Sequence, residues 1–305
     1  MTLLVADVGG TNTRIGLSDA GAVSHIHRYE NDAHPSFDGV LADYLSHVGR
    51  GADLSAAVIA VAGPVTSRQA KLTNRDWTFD GMALVDVLPG QPKVRLINDL
   101  VALGHAVPHL SDAQRSTLLA GADQPLNAQS LVAGVGTGFN VCLLRGGVVM
   151  EAELGHASLP SSVATLLREA LGSAAERFAT NEAVLSGRGL SRIYQAMTGE
   201  SLPGSKILAA ADGQTCAAAR EAVLLMARLL GCFTRELVFQ YLPFGGIHFA
   251  GGAARGVLGS DARQEFVAAF LHDGPFREQV AQVPVHVILD DQAALIGAAR
   301  CCGGP

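Results

Sequence analysis

An amide and a carboxylate, Asn98 and Asp99, lie between two apolar segments in the stretch "LINDLVALGHA". Leu96 and Ile97 are typical of the end of a buried strand, and residues 100–103 of the start of a packed helix. One ordinary explanation is a helix N-cap, whose side chain accepts hydrogen bonds from the first free N–H groups. That explanation accounts for one polar residue better than for two, because Asn98 could cap the helix alone.

Three more polar residues point to a common ligand. Glu153 and His156 stand in "EAELGHASLP", and Glu182 stands in "TNEAVLSGRGL". Taken singly, each is also typical of a surface acid or of a core histidine with a hydrogen-bond partner. Together with Asn98 and Asp99 they supply the donors and acceptors that a carbohydrate requires at fixed hydroxyls. Such sites also reject analogues that lack a hydroxyl, so the set favours sugar recognition.

The first of three glycine-rich turns, "DVGGTNTR", could hold an anion. Gly9 and Gly10 carry no Cβ and let backbone N–H groups approach a phosphate. Further donors are expected from Thr11, Asn12 and Thr13. Asp7 ends the preceding strand, where its carboxylate could hold a metal-bound water. An ordinary hairpin turn would use the same residue types, so both interpretations stay open.

Two further turns are candidates for a nucleotide site. "GVGTGFN" contains Gly136, Thr137 and Gly138, and "AGGAAR" contains Gly251-Gly252, against which a planar ring or a sugar could lie. Close packing of a strand on a helix is the commoner reason for such a glycine pair. The chain has no Gly-Lys for a Walker A motif, and position 139, which is Phe, breaks the dinucleotide fingerprint. Any phosphate site must therefore use another architecture.

Composition excludes several classes of protein. The 305 residues are 49% hydrophobic and 16% charged, with a net charge of -6, which offers no basic face to nucleic acid or anionic lipid. The sequence contains no uncharged apolar stretch of about 18 residues, so it predicts no membrane span. Residues 222–242 instead predict a long buried helix. The N-terminus lacks the features of a signal peptide. Five cysteines without CxxC spacing favour a reducing cytoplasm.

The order of apolar segments predicts an α/β protein with mixed sheets. Residues 2–30 indicate strand, glycine turn, strand, turn and strand, and residues 56–65 and 93–99 add further strands among helices. A similar pattern restarts at residue 131, and its opening aligns with the first without gaps, Val5 opposite Val132. This duplication predicts two domains, a small one of residues 1–108 plus 289–305 and a large one of residues 109–288.

Seven segments extend this pattern over nearly the whole chain. They are "DVGGTNTRIGL", "LTNRDW", "INDLVALGHA", "GVGTGFNV", "ELGHASL", "NEAVLSGRGLSRIYQA" and "GGIHFAGGAA". In order and approximate spacing the sequence resembles the bacterial glucokinases, within the hexokinase, actin and heat-shock ATPase superfamily. The glycine turns are shared across that superfamily. The Asn-Asp, Glu-x-Gly-His and E-x-V-L-S-G-x-G-L segments together are more specific to glucokinases.

The resemblance implies a cytoplasmic sugar kinase, homodimeric, with two ribonuclease H-like domains and a ligand cleft between them. Asp99 corresponds to the general base for the sugar 6-hydroxyl, and Asn98, Glu153, His156 and Glu182 correspond to sugar-binding positions. The phosphates of ATP, with Mg²⁺, would bind the turns at residues 7–12 and 136–138, and adenosine would bind Gly251-Gly252. The missing zinc-binding cysteine motif argues against the related ROK branch and a structural zinc.

Three departures from the family pattern keep alternatives open. Phe139-Asn140 replace Leu-Gly after the second phosphate loop, where Asn is expected to tolerate a positive φ and its side chain to crowd a phosphate. Leu154 replaces glycine and is expected to shift His156. Arg188 replaces proline and is expected to lie on the surface without effect. A kinase for mannose, fructose or an N-acetylated sugar, and a sugar-binding regulator with weakened catalysis, are the alternatives. The phosphoryl donor, whether ATP, ADP or polyphosphate, is also left open.

Overall fold

A computed structural model describes residues 2–49 and 54–301. Its strands are β1 (Thr2–Val8), β2 (Asn12–Asp19), β3 (Ala22–Glu30), β4 (Leu54–Val61), β5 (Gln69–Lys71), β6 (Thr78–Asp80), β7 (Lys93–Asn98), β8 (Arg115–Leu119), β9 (Ser130–Val135), β10 (Phe139–Arg145), β11 (Val148–Glu151), β12 (Gly246–Ala250) and β13 (Val285–Ile288). Its α-helices are α1 (Phe37–Val48), α2 (Gly81–Val87), α3 (Asp99–Ala106), α4 (Ser161–Leu171), α5 (Asn181–Val184), α6 (Gly187–Thr198), α7 (Gly204–Asp212), α8 (Ala217–Tyr241), α9 (Gly252–Leu258), α10 (Arg263–Phe270), α11 (Arg277–Ala281) and α12 (Ala293–Cys301).

The chain divides into two compact units. The first comprises Met1–Leu110, Gly147–Val149 and Asp290–Pro305, and the second comprises Ser111–Gly146 and Met150–Leu289. We propose that they correspond to the two domains predicted from the duplicated sequence pattern, 1–108 with 289–305 and 109–288.

The first unit is built on a five-stranded mixed sheet in the order β3-β2-β1-β4-β7. β1 pairs antiparallel with β2 and parallel with β4, which pairs parallel with β7. Because side chains alternate along a strand, Leu4 and Ala6 of β1 pack with α1 on one face of the sheet. Val5 packs on the other face, with residues of α3 and α12. Two layers of helices thus enclose the sheet.

The second unit contains a six-stranded sheet in the order β11-β10-β9-β12-β13-β8. Its main core packs against α8, which is buried along most of its length. The sequence prediction of a long buried helix at residues 222–242 is confirmed. In the part of the chain that the structure describes, no helix combines the length and apolarity that crossing a bilayer requires.

The two sheets repeat one connection pattern. In each, an antiparallel hairpin (β1-β2 or β9-β10) is followed by a parallel neighbour, β4 or β12. Val5 pairs with Gly16 in the first hairpin and Val132 pairs with Cys142 in the second. The predicted α/β fold with mixed sheets flanked by helices is confirmed, and the glycine turns follow the first strand of each hairpin.

Two neighbouring histidines lie in the centre of the second sheet. His248 of β12 and His286 of β13 stack with ring centroids 4.9 Å apart, and both are buried. The Nδ1 of His286 is 3.0 Å from the Thr117 hydroxyl oxygen. Among the described residues, neither ring nitrogen of His248 has a hydrogen-bond partner. Burial lowers the pKa of His248 from 6.5 to about 3 and that of His286 to about 4.

We expect the second unit to lose stability as the pH falls below 6.5. There the unfolded chain takes up protons on these histidines and the folded chain does not, so the loss reaches about 2 kcal/mol per histidine at pH 5. The free energy of unfolding, measured at pH 7.5 and pH 5, checks this. Compared with the unsubstituted protein, His248→Leu should remove about 2 kcal/mol of the loss between pH 7.5 and pH 5, whatever its effect at pH 7.5. An unchanged difference would contradict the assignment.

Candidate functional site

The Asn98–Asp99 junction joins β7 to α3 in the first unit. Asn98 is the N-cap: its Oδ1 accepts a hydrogen bond from the Leu100 N–H at 2.9 Å, and its Nδ2 donates to the Gly63 carbonyl at 3.1 Å. The Asp99 Oδ1 also lies 3.0 Å from the Leu100 nitrogen. The expectation that Asn98 can cap the helix is confirmed, since the Leu100 N–H that Asp99 also faces already has an acceptor in Asn98 Oδ1. The cap therefore does not account for the Asp99 carboxylate.

Burial and a second carboxylate control the protonation of Asp99. Desolvation is the larger cause and the charge of Asp7 the next, and together they raise the pKa of Asp99 from 3.8 to about 7. Burial also raises the pKa of Asp7 to about 6, against the opposing effect of Arg14, whose Nη1 lies 3.5 Å from Asp7 Oδ2. A carboxyl that titrates near neutral pH is suited to accept a proton during a reaction.

The first glycine turn is fixed by side chains from elsewhere in the first unit. Asn31, fully buried, donates from Nδ2 to the Gly9 carbonyl at 2.8 Å. Arg75 donates from Nε to the Gly10 carbonyl at 3.3 Å, and its guanidinium lies 5.3 Å from the centre of the Trp77 ring. These contacts use carbonyl oxygens and none of the N–H groups of the turn, but the Gly9 N–H already donates to the Asn12 carbonyl at 3.0 Å.

Two of the polar residues of this turn have partners already. The Thr13 hydroxyl is buried and donates to Asn31 Oδ1 at 2.8 Å, so the prediction that Thr13 adds a donor for an anion is wrong. The Asn12 Oδ1 accepts from Arg28 Nε at 3.1 Å. Thr11 is exposed, and its carbonyl accepts from the Asn31 N–H at 2.9 Å.

The second glycine turn belongs to the second unit and is held against the start of α6. The Gly136 N–H donates to the Gly138 carbonyl at 3.0 Å, and the Gly187 N–H donates to the Gly136 carbonyl at 2.8 Å. Thr137, at the tip, is exposed. Gly251 has a φ of 101°, and a Cβ there would lie 2.6 Å from the Val135 carbonyl oxygen. The second and third glycine segments are therefore adjacent.

Glu182 on α5 contacts the second glycine turn directly. Its Oε2 accepts a hydrogen bond from the Phe139 N–H at 3.1 Å, and its Oε1 accepts from Arg188 Nη2 at 2.9 Å. The Nε of Arg188 also donates to the Thr137 carbonyl at 3.1 Å. Arg188 lies on the surface as expected, but it is not without contacts, because its guanidinium links an acid of the candidate site to the turn.

Glu153 is held by one of the residues that depart from the family pattern. Asn140 Nδ2 donates to Glu153 Oε2 at 3.0 Å, and Asn140 Oδ1 accepts from the Leu154 N–H at 3.0 Å. Asn140 lies in β10 and its φ is not positive. The expected tolerance of asparagine for a positive φ is therefore not needed at this position. The amide instead joins β10 to the Glu153–His156 segment.

The Leu154 side chain is partly buried and packs against the core of the second unit. The Leu154 carbonyl accepts a hydrogen bond from Asn181 Nδ2 at 2.8 Å. Gly155 follows with no room for a side chain, since a Cβ would lie 2.1 Å from the Phe139 carbonyl oxygen. His156 ends the short 3₁₀ helix Leu154–His156 and is exposed. The substitution of Leu for Gly is accommodated by the core.

Within each unit, several predicted residues lie together. The first unit holds Asp7 with Asp99, and the second holds Glu182 with the turn at 136–138 and Glu153 with Asn140. Sequence reasoning missed the supporting side chains Asn31, Arg75, Asn140, Asn181 and Arg188. Arg75, Asn181 and Arg188 lie inside the quoted motifs, and Asn140 in the second turn, but only the fold shows what they contact.

Comparison with known proteins identifies the family of the chain. A model of the glucokinase family matches residues 4–303. The chain is 33% identical to a glucokinase of Pectobacterium atrosepticum, over 97% of this chain and 95% of the relative, and 30% identical to a Nostoc glucokinase over 99% of each. A solved glucokinase from an Antarctic psychrotroph shares its fold with a TM-score of 0.79, at 28% identity over 98% of each chain. As its motifs predict, the chain belongs to the glucokinase family.

Proposed function

We propose that this member of the glucokinase family transfers the γ-phosphoryl group of ATP to the 6-hydroxyl of glucose, with Asp99 as the general base. The observation that carries the role of Asp99 is its carboxyl at the start of α3, with a pKa raised to about 7 and no necessary part in the helix cap. Asp99 takes the hydroxyl proton as the sugar oxygen bonds to the γ-phosphorus. The bond from that phosphorus to the bridging oxygen breaks, and ADP leaves.

The remaining predicted residues divide into two groups by chemistry. Sugar hydroxyls would bind the side chains of Asn98, Glu153, His156 and Glu182. The phosphates of ATP would bind backbone N–H groups of the two glycine turns other than those of Gly9 and Gly136, together with the Thr11 and Thr137 hydroxyls. Adenosine would lie against Gly251-Gly252. Support comes from the accessible tips of both turns and from the contact of the third glycine segment with the second.

The donor set of the first unit fits a magnesium ion that is shared with a nucleotide. Asp7 and Asp99 are two hard oxygen donors whose mutual repulsion raises the Asp99 pKa, and a divalent cation would relieve that repulsion. Among the described residues, no group of three or more His, Cys, Asp or Glu side chains could hold a metal alone. Asp7 would hold Mg²⁺ through water, and the ion would neutralise phosphate charge.

The activity is tested by ADP release from purified protein and Mg-ATP, with and without glucose, beside mannose, fructose and N-acetylglucosamine. We expect glucose-dependent release well above the release with ATP alone. A response only to another sugar would reassign the substrate. Sugar binding by calorimetry without ADP release would favour the binding-protein alternative. The partly buried packing of Leu154 gives no support to a different hexose.

The link from Asn140 to Glu153 gives a second test of sugar binding. Asn140→Asp has nearly the same shape and keeps the acceptor for the Leu154 N–H, but it replaces the amide donor by a charge facing Glu153. A charge-assisted hydrogen bond contributes about 1.5–3 kcal/mol. We expect the KM for glucose to rise about tenfold, which corresponds to about 1.4 kcal/mol, with the KM for ATP unchanged. An equal rise in both constants would argue for general distortion.

We also propose a cytoplasmic location and a homodimer, which the resemblance to bacterial glucokinases supports. Light scattering on the purified chain tests the homodimer. A mass corresponding to one chain of 31.6 kDa at micromolar concentration would contradict it.

A further inference from the structure

The second glycine turn carries a carboxylate directly against its backbone. A Cβ placed on Gly138 would lie 2.4 Å from Glu182 Oε2, and the Phe139 N–H donates to the same oxygen at 3.1 Å. The Glu182 side chain is 28% exposed, so part of it is accessible to a ligand. If this turn binds the phosphates of a nucleotide, an anionic ligand is placed beside an anionic side chain.

Such an arrangement requires a cation. Two negative charges a few ångströms apart in partly desolvated surroundings repel each other strongly. Arg188 provides the positive charge, since its Nη2 lies 2.9 Å from Glu182 Oε1 and its Nε donates to the Thr137 carbonyl at 3.1 Å. One rigid guanidinium thus contacts the acid and the tip of the turn at once, which the point charge of a lysine cannot do equally well.

Resting on the proposed function, we propose that Arg188 is a positioning residue that makes nucleotide binding at the second glycine turn compatible with sugar binding at Glu182. Its guanidinium holds the Glu182 carboxylate in place and compensates the repulsion from bound phosphate. The family pattern that this sequence resembles has proline here, whereas Arg188 brings a positive charge to the turn. Removing the charge should leave each ligand able to bind alone, but bound nucleotide should then weaken the binding of sugar.

The experiment measures the Kd for glucose by calorimetry in the absence and presence of saturating Mg-AMPPNP, and takes the ratio of the two constants. Arg188→Gln removes the charge. Arg192→Gln is the matched control, because Arg192 lies one turn further along α6 and is exposed. We expect AMPPNP to weaken glucose binding by at least about fivefold more in Arg188→Gln than in the unsubstituted protein, within the usual range of coupling between sites. Arg192→Gln should match the unsubstituted protein.

Salt separates the charge effect from a structural one. The Glu182 carboxylate is partly exposed, so its repulsion from bound phosphate should be weakened in about 1 M KCl, where the Debye length is about 3 Å. The ratio of Arg188→Gln should then return toward that of the unsubstituted protein. A ratio in Arg188→Gln equal to that of the unsubstituted protein at low salt overturns the inference, as does a changed ratio that salt does not restore. Failure of the unsubstituted protein to bind glucose would instead overturn the proposed function, and the inference with it.

Discussion

Asp99→Asn is expected to lower kcat by about 10²–10⁴-fold, the usual contribution of a general base, while the Kd for glucose changes by only a few-fold. Asparagine has the same shape and keeps the oxygen that faces the Leu100 N–H, but it cannot accept the proton of the sugar hydroxyl. The measurement is steady-state kinetics of ADP release together with calorimetry of glucose binding. Turnover within threefold of the unsubstituted protein would contradict the role of Asp99.

The first unit contains a matched control for the Asp99→Asn substitution. Asp80 is another aspartate at the start of a helix, and its carboxylate accepts hydrogen bonds from the Met82 and Ala83 N–H groups. These bonds lower the pKa of Asp80, whereas burial and the Asp7 charge raise that of Asp99 to about 7. Asp80→Asn keeps a good N-cap and should leave kcat unchanged. The two aspartates therefore separate capping from catalysis.

The raised pKa of Asp99 also predicts the pH dependence of turnover. Asp99 must be ionised to act as a base, so kcat/KM should fall as the pH decreases through the pKa of Asp99, which is about 7 without a metal and lower where Mg²⁺ relieves the repulsion from Asp7. The sign for stability is opposite: a carboxyl with a raised pKa in the folded state binds protons there more readily than in the unfolded chain. Its ionisation therefore destabilises the fold as the pH rises from about 4 to 7. Asp99→Asn should accordingly raise the melting temperature at pH 8 while it abolishes the acid limb of the rate profile.

The fold could be predicted from the sequence because it depends on the periodicity of apolar residues and on the residues at turns. The hairpins at residues 2–19 and 130–145, the buried helix α8 and the cap at Asn98 each follow from a local pattern. The family followed from motifs whose order extends over the chain, and a match over residues 4–303 confirms it.

Most of the supporting contacts could not be predicted, because they join residues distant in the sequence. Asn140 meets Glu153 across 13 positions, and Arg188 meets Thr137 across 51. In the sequence, Asn140 and Arg188 look like two unrelated departures from the family pattern. In the fold, Asn140 supports Glu153 and Arg188 supports Glu182, so both departures bear on proposed sugar-binding acids. A local pattern indicates which residue is unusual, and only tertiary contacts indicate what it compensates.

The largest expected loss of stability comes from Gly297→Ala in α12. This helix packs on α3 so closely that a Cβ at position 297 would lie 1.7 Å from the Ala102 carbonyl oxygen. The blocking atom belongs to the backbone, so no rotamer change relieves the overlap and the helices must separate. Overpacking of this kind costs about 1–3 kcal/mol and occasionally more. Because α3 begins at Asp99, the displacement should also lower kcat.

Gly39→Ala is the control for this substitution. Gly39 is also helical and in the first unit, but a Cβ there would make only ordinary contacts, at 3.7 Å from His34 Nδ1 and Pro35 Cδ. Replacing a helical glycine by alanine in open surroundings stabilises a helix by up to about 1 kcal/mol. Urea denaturation should therefore move the two midpoints in opposite directions. Equal midpoints would show that α12 can shift without cost, and the position of Asp99 would then not depend on this close packing.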